Sequence, residues 1–136
     1  MSDITPLRFG YFKDFADPTF MFYGQGASLG ALQDALQSLP KQGCIKLDED
    51  SRFARVASER VSLCLTPVSQ GFRQRAGASD CFEWRLSGDQ AMQFAQLIKG
   101  VIDSPQPCHE YLEIGTVDDV VIVVSKDEYP EEWPQR

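Results

Sequence analysis

Five consecutive β-branched residues, Val120, Val121, Ile122, Val123 and Val124, constrain this chain more than any other feature. Side chains of a strand alternate between the two faces of the pleat. An unbroken apolar run therefore fits a strand covered on both sides. The arm before it alternates instead: Leu112 and Ile114 point one way, Tyr111 and Glu113 the other, and residues 115–119 (Gly-Thr-Val-Asp-Asp) supply a turn. Residues 108–130 thus predict a hairpin whose second arm is central to a sheet.

The remaining segments supply partners for that sheet. Aromatics crowd residues 7–24, where Phe9 and Tyr11 alternate with polar neighbours and residues 19–23 read as a second strand, a hairpin closed by Gly24 and Gly26. Leu29, Leu32, Leu36 and Leu39 then recur at helical spacing, with Ser28 as the expected N-cap and Pro40 and Gly43 as stop signals. Residues 44–47 and 61–66 read as strands, 52–60 are ambiguous between helix and strand, and 69–79 read as a loop carrying Arg73 and Arg75. Phe82, Trp84 and Leu86 share one face of a strand over 81–86. Ser87 and Gln90 have the S-x-x-Q form of a capping box, opening a helix whose apolar stripe is Ala91, Phe94, Ala95, Ile98, Val101 and Ile102. No internal repeat, low-complexity tract or long linker is evident. Strands come in runs and do not alternate with helices. The expected class is α+β: one domain over 1–136, an antiparallel or mixed sheet of about six strands, and two helices packed on one face.

Composition narrows the function classes. An apolar fraction of 43% and a charged fraction of 24% match ordinary globular values, which sets global disorder aside. The N-terminus lacks the basic and apolar regions of a signal peptide, and no apolar run is long enough to span a bilayer. The expectation is a cytoplasmic protein without membrane contact. Cys44, Cys64, Cys81 and Cys108 form no C-x-x-C pair, and His109 is the single histidine; reduced, buried thiols and neither metal nor cofactor are expected. The net charge of −7 lies at one end: residues 1–102 hold 11 acids and 11 bases, whereas 103–136 hold 9 acids and 2 bases. An acidic end repels phosphates and disfavours nucleic acid.

Four features compete as sites. Gly24, Gly26 and Gly30 lie where a strand meets a helix, a place for phosphate, but their spacing misses the dinucleotide fingerprint by one residue. His109, Tyr111 and Glu113 share a strand face and form an acid/base set, although a lone histidine is more often structural. Arg52, Arg55, Arg60, Arg73, Arg75 and Arg85 form a basic middle zone, best explained by salt bridges to the acidic C-terminal part. The acidic cluster itself, Glu113, Asp118, Asp119, Asp127, Glu128, Glu131 and Glu132, with Tyr129 and Trp133 as aromatic anchors, reads either as a solubilising face or as a surface that meets a basic partner protein.

The C-terminal run His109-Glu110-Tyr111-Leu112-Glu113, followed by residues 121–130 (Val-Ile-Val-Val-Ser-Lys-Asp-Glu-Tyr-Pro), resembles the ending of small bacterial proteins of uncharacterised function that are similar to immunity proteins of toxin systems. That resemblance implies an inhibitor or partner-binding module without a cofactor. The reading of the whole is a protein-binding module acting through its acidic hairpin and tail. The alternative is a small-molecule or nucleotide binder, or a minor enzyme, with a pocket near Gly24, Gly30 and His109. A homodimer through the aromatic stretch from Phe9 to Tyr23 is a third reading.

Overall fold

A computed structural model describes residues 5–78, 80–113, 118–130 and 133–134. Among them the chain forms nine strands and two helices: β1 (Leu7–Phe12), β2 (Thr19–Gly24), α1 (Gly26–Gln42), β3 (Cys44–Lys46), β4 (Phe53–Arg55), β5 (Arg60–Leu65), β6 (Gly71–Gln74), β7 (Cys81–Leu86), α2 (Gly88–Asp103), β8 (Cys108–Tyr111) and β9 (Val121–Lys126). The α+β class is as expected. The arrangement of the strands is not a six-stranded sheet: they divide into a first sheet of order β4-β1-β2-β9-β8 and a second of order β3-β5-β7-β6. Both sheets are mixed, since β1/β4, β2/β9 and β5/β7 pair in parallel and the other pairs are antiparallel.

The apolar run at the C-terminal end sits as its pattern requires. β9 lies between β2 and β8, with Ile122 and Val124 in the main core and Val123 in a smaller cluster on the opposite face. β8 pairs with it from Cys108 opposite Lys126 to Tyr111 opposite Val123, and the Leu112 amide extends the ladder by donating to Ile122 O. The expected turn falls partly on residues 114–117, which lie outside the described residues.

Aromatic rings fuse the sheets. Phe20 of the first sheet meets Phe72 and Phe82 of the second at centroid distances of 4.8 and 5.0 Å, and Phe22 stacks on Trp84 at 5.8 Å. Phe9, Phe20, Phe22, Phe72 and Trp84 are fully buried. Burial of such rings is the largest favourable contribution available to a domain of this size, and tilted or edge-on pairs add to it. The helices pack on each other and add their apolar stripes to this core, α1 touching strands of both sheets and α2 touching β8 and β9.

Local chemistry sets the element ends. Ser87 caps α2, its Oγ accepting from the Gln90 amide at 3.1 Å, but the Gln90 side chain turns to Gln93 and Ser69 Oγ accepts from the Ser87 amide instead. In α1 the expected cap is displaced: Gln25 is the N-cap, and Ser28 sits inside the first turn, its hydroxyl donating to Thr5 O. Gly43 ends α1 at φ 79°, a left-handed conformation that glycine adopts without strain. The ambiguous stretch becomes β4, after which the buried carboxylate of Glu59 continues the sheet edge by accepting from the amides of Tyr11 and Ala57. The stretch read as a loop contains β6, whose apolar signal reduces to Phe72 because Arg73 is exposed and the residue sharing the inner face, Gln74, is polar and half-buried.

Strand order reveals a repeat that is invisible in the amino-acid sequence. β1-β2-α1-β3-β5 and β6-β7-α2-β8-β9 are each a hairpin, a helix and a second hairpin, and each unit gives its second hairpin to the sheet begun by the other. The registers agree: β2 pairs with β9, and β7 with β5, over six parallel positions each. From β2 to the end of the helix the two units align residue for residue, yet they share only Phe20/Phe82 and Gly26/Gly88 as identities. What repeats is burial: Phe9, Phe20, Phe22, Leu32 and Leu36 correspond to Phe72, Phe82, Trp84, Phe94 and Ile98, all in one core.

Candidate functional site

The outer face of the first sheet, turned away from the core, holds the largest hollow among the described recesses. Cross-strand neighbours build it in rows: Tyr23–Ser125–His109 and Met21–Val123–Tyr111, then Thr19–Val121. Half of this face is covered by the chain following β9. Tyr129 and Trp133 stack at 4.2 Å, and Trp133 packs on Phe12 and Tyr23 at 5.1 and 5.3 Å. Arg8 fixes the cover, donating to Trp133 O at 3.0 Å with its guanidinium 4.6 Å from the Tyr23 ring centroid. Gly10 belongs to the same arrangement, because a Cβ there would meet Val56 Cγ2 at 2.8 Å.

The uncovered half is an open groove of about 750 Å³. Its floor is Met21, Val121 and Val123, its walls include Phe15, Tyr111 and Tyr129, and its rim carries Asp17, Glu113 and Glu128. Tyr111 is 51% exposed and presents its ring to the groove. At one side His109 Nδ1 lies 2.9 Å from Glu128 Oε2, and Ser125 Oγ donates to Glu128 Oε1. Partial burial pushes the Glu128 carboxyl up, but the Ser125 hydroxyl and the His109 imidazole outweigh it and hold the group below the usual glutamate range. Burial, with the Glu128 charge beside it, pushes the Tyr129 phenol up.

The acidic cluster expected from the sequence is dispersed. Asp118 Oδ1 accepts from the Phe72 amide at 2.7 Å, Asp119 Oδ2 accepts from the Gln74 amide at 3.0 Å, and the Asp119 amide donates to Phe72 O. These two carboxylates clip the approach to β9 onto the edge of the second sheet and are structural. Asp119 also faces Arg73 at 3.4 Å. Asp127 turns the chain out of β9 with φ 59° while its amide donates to Gly24 O. Tyr129 and Trp133 pack inward as described. Glu113 and Glu128 remain on the groove, and Glu131 and Glu132 lie outside the described residues.

The other candidates separate. His109 and Tyr111 share an edge-on contact at 5.6 Å and both line the groove, as does Glu113. The glycine segment borders two smaller recesses, Gly24 with Arg8 and Asp127, and Gly30 with Arg52, so no described hollow joins it to His109. The aromatic stretch proposed for a homodimer is internal: Phe9, Phe20 and Phe22 are in the core and Tyr23 lies under Trp133. The four cysteines are free thiols. None is fully buried as expected: Cys44 is exposed and Cys64, Cys81 and Cys108 are half-buried, with the Cys44 sulfur 3.7 Å from that of Cys64 across the strand pair. Among the described residues no group of three or more His, Cys, Asp or Glu side chains is placed to hold a metal ion, and no helix is long and apolar enough to cross a membrane.

Sequence reasoning missed the groove floor. Met21, Val121 and Val123 read as core because β2 and β9 are apolar on both faces, whereas Trp133 packs over Phe12 and Tyr23 and these three residues line the groove. Comparison with known proteins returns no match: no family model, curated sequence or solved structure is significantly similar to this chain.

Proposed function

We propose that this chain is a protein-binding module and that its partner enters the groove of the first sheet as an extended, basic segment. The observation that carries this reading is the pairing of an apolar, partly aromatic floor with an acidic rim on one open face. An interface of that kind gains affinity from the buried aromatic and aliphatic contacts, and specificity and encounter rate from the charges around them. The chain's net charge of −7 supports the same polarity of partner. Inhibition of a basic toxin in the cytoplasm, the role suggested by the C-terminal resemblance, is one form such binding takes. The docking residues are then Met21, Tyr111, Glu113, Val123 and Glu128, with Asp17 opposite, and not Asp118 and Asp119.

Fluorescence anisotropy with labelled hexapeptides that alternate Arg or Lys with Leu or Phe tests the reading, using Glu-substituted peptides as controls. Basic peptides should bind in a salt-dependent manner, and Tyr111→Ala should weaken them about tenfold, the loss of one interface anchor. Equal affinity for basic and acidic peptides at low salt, or binding that ignores Tyr111→Ala and Glu113→Gln together, sinks the proposal.

A further inference from the structure

The second sheet has a hollow where the repeat places one, and its chemistry is the reverse of the first. Lys46, Ser62 and Glu83 occupy the positions that Tyr111, Val123 and Met21 hold in the groove row. The hollow there is a cleft of about 430 Å³, the volume of a small-molecule site. Arg55, Arg60 and Arg75 border it. Arg60 and Arg75 flank residues 80–81 from opposite sides, the Arg60 amide donating to Asp80 O and the Arg75 amide to Cys81 O, both at 2.8 Å.

Asp48, Glu49 and Glu83 share the cleft with these three guanidiniums, and none of them is within ion-pair distance of Arg55, Arg60 or Arg75. The carboxylates of the cleft are committed elsewhere: Asp48 Oδ1 accepts from the Val61 amide at 2.9 Å, Glu49 faces Lys46 at 3.8 Å, and Glu83 accepts from Arg85 Nε at 3.0 Å. Among the described residues Arg55, Arg60 and Arg75 make no ion pair, whereas Arg52, Arg73 and Arg85 each do. Scarcity of acids does not explain this, since the chain has 20 acids for 13 bases. The expected pairing of the middle arginines with the acidic end is met by Arg73 with Asp119; Arg52 and Arg85 pair instead with Asp34, Asp50 and Glu83, and among the described residues the cleft arginines pair with none. Three unpaired, planar, five-donor cations around one concavity are the arrangement that binds a phosphoryl group through bidentate hydrogen bonds.

We infer that this cleft binds a small phosphorylated metabolite, with Arg55, Arg60 and Arg75 on the phosphate and Ser62 and Glu83 facing its hydroxylated body. The site lies on the other sheet from the peptide groove and stands or falls independently of it. The test is calorimetric titration of the intact protein, at fixed ionic strength, with ribose 5-phosphate, pyrophosphate, inorganic phosphate and ribose. The phosphate ester and pyrophosphate should saturate a single site while ribose gives no heat. Arg60→Gln and Arg75→Gln, exposed positions whose loss spares the fold, should each weaken binding about tenfold, as expected for a lost charge-assisted pair. Arg52→Gln, held by Asp50 and Asp34 beside a different recess, should leave it unchanged. No saturable binding overturns the assignment, as does affinity indifferent to Arg60→Gln and Arg75→Gln. Binding of a polyglutamate peptide without binding of the phosphates would also overturn it, making the occupant an acidic protein segment.

Discussion

The two sheets carry equivalent rows of residues on their outer faces and treat them in opposite ways. In the first sheet the middle row is Met21–Val123–Tyr111, sheltered on one side by a stacked Tyr129–Trp133 pair. In the second it is Glu83–Ser62–Lys46, with arginines around it. The inner faces, by contrast, are nearly interchangeable, Phe20 and Phe82 standing at matched positions and Phe22 facing Trp84. A shared core tolerates only rings and aliphatics, because removing them from water is what holds the sheets together. The outer faces bear no such constraint, and there the two units differ in charge, cover and, on our reading, ligand.

The sharpest way to break this comparison is through the core. Phe20→Ala and Phe82→Ala should each cost about 3–5 kcal/mol in urea unfolding, as for other buried aromatic truncations. A single transition in both variants means that the units fold as one body; separate transitions would divide them. Trp84→Phe is the contrasting case. Its buried Nε1–H has no acceptor among the described residues, so restoring the ring type of Phe22 should change stability by less than about 1.5 kcal/mol.

A next, smaller effect comes from Lys126, whose equivalent in the other unit is the part-exposed Leu65. The Lys126 ammonium is buried and donates to Ile102 O and Ser104 O at the C-terminus of α2, where the helix dipole favours a cation. Lys126→Met should cost about 1–3 kcal/mol, the range for leaving such carbonyls unsatisfied.

Acid should act on the first outer face. Glu128 titrates below its unfolded value, so its contribution is present above the ordinary glutamate value of 4.5 and is lost as the pH falls through the depressed folded value. Glu128→Gln should therefore flatten the acid limb of the stability profile, read by thermal melts between neutral pH and the acid transition. On the second face the positions matching His109 and Ser125, the partners of Glu128, are Cys44 and Cys64. Burial first, and the neighbouring Cys44 thiol second, push the Cys64 thiol up to about 11. Cys64 should resist iodoacetamide at pH 8 and become reactive only as the pH approaches 11, followed by mass spectrometry. The smallest effect belongs to the exposed Arg73–Asp119 pair: Arg73→Ala should cost less than about 1 kcal/mol. Asp118→Ala, which frees the Phe72 amide, should cost more.

Local chemistry was legible residue by residue. The stripes of both helices, the Ser87 cap, the Gly43 terminus, the 81–86 strand and the two-sided burial of β9 follow from periodicity and capping, which act within a turn or a few residues. Short elements were not: β4 and β6, at three and four residues, carry too few side chains to set a period. Tertiary structure alone decided that strands distant in sequence, β2 with β9 and β5 with β7, pair in parallel to make two sheets from a concealed repeat. It also decided which charges stay available. Composition places the acids at one end, but it is the approach of residues 118–119 to β6 that engages two of them, while among the described residues no acid pairs with Arg55, Arg60 or Arg75. Pairing between distant segments depends on where the whole chain brings them, and no local window of sequence carries that information.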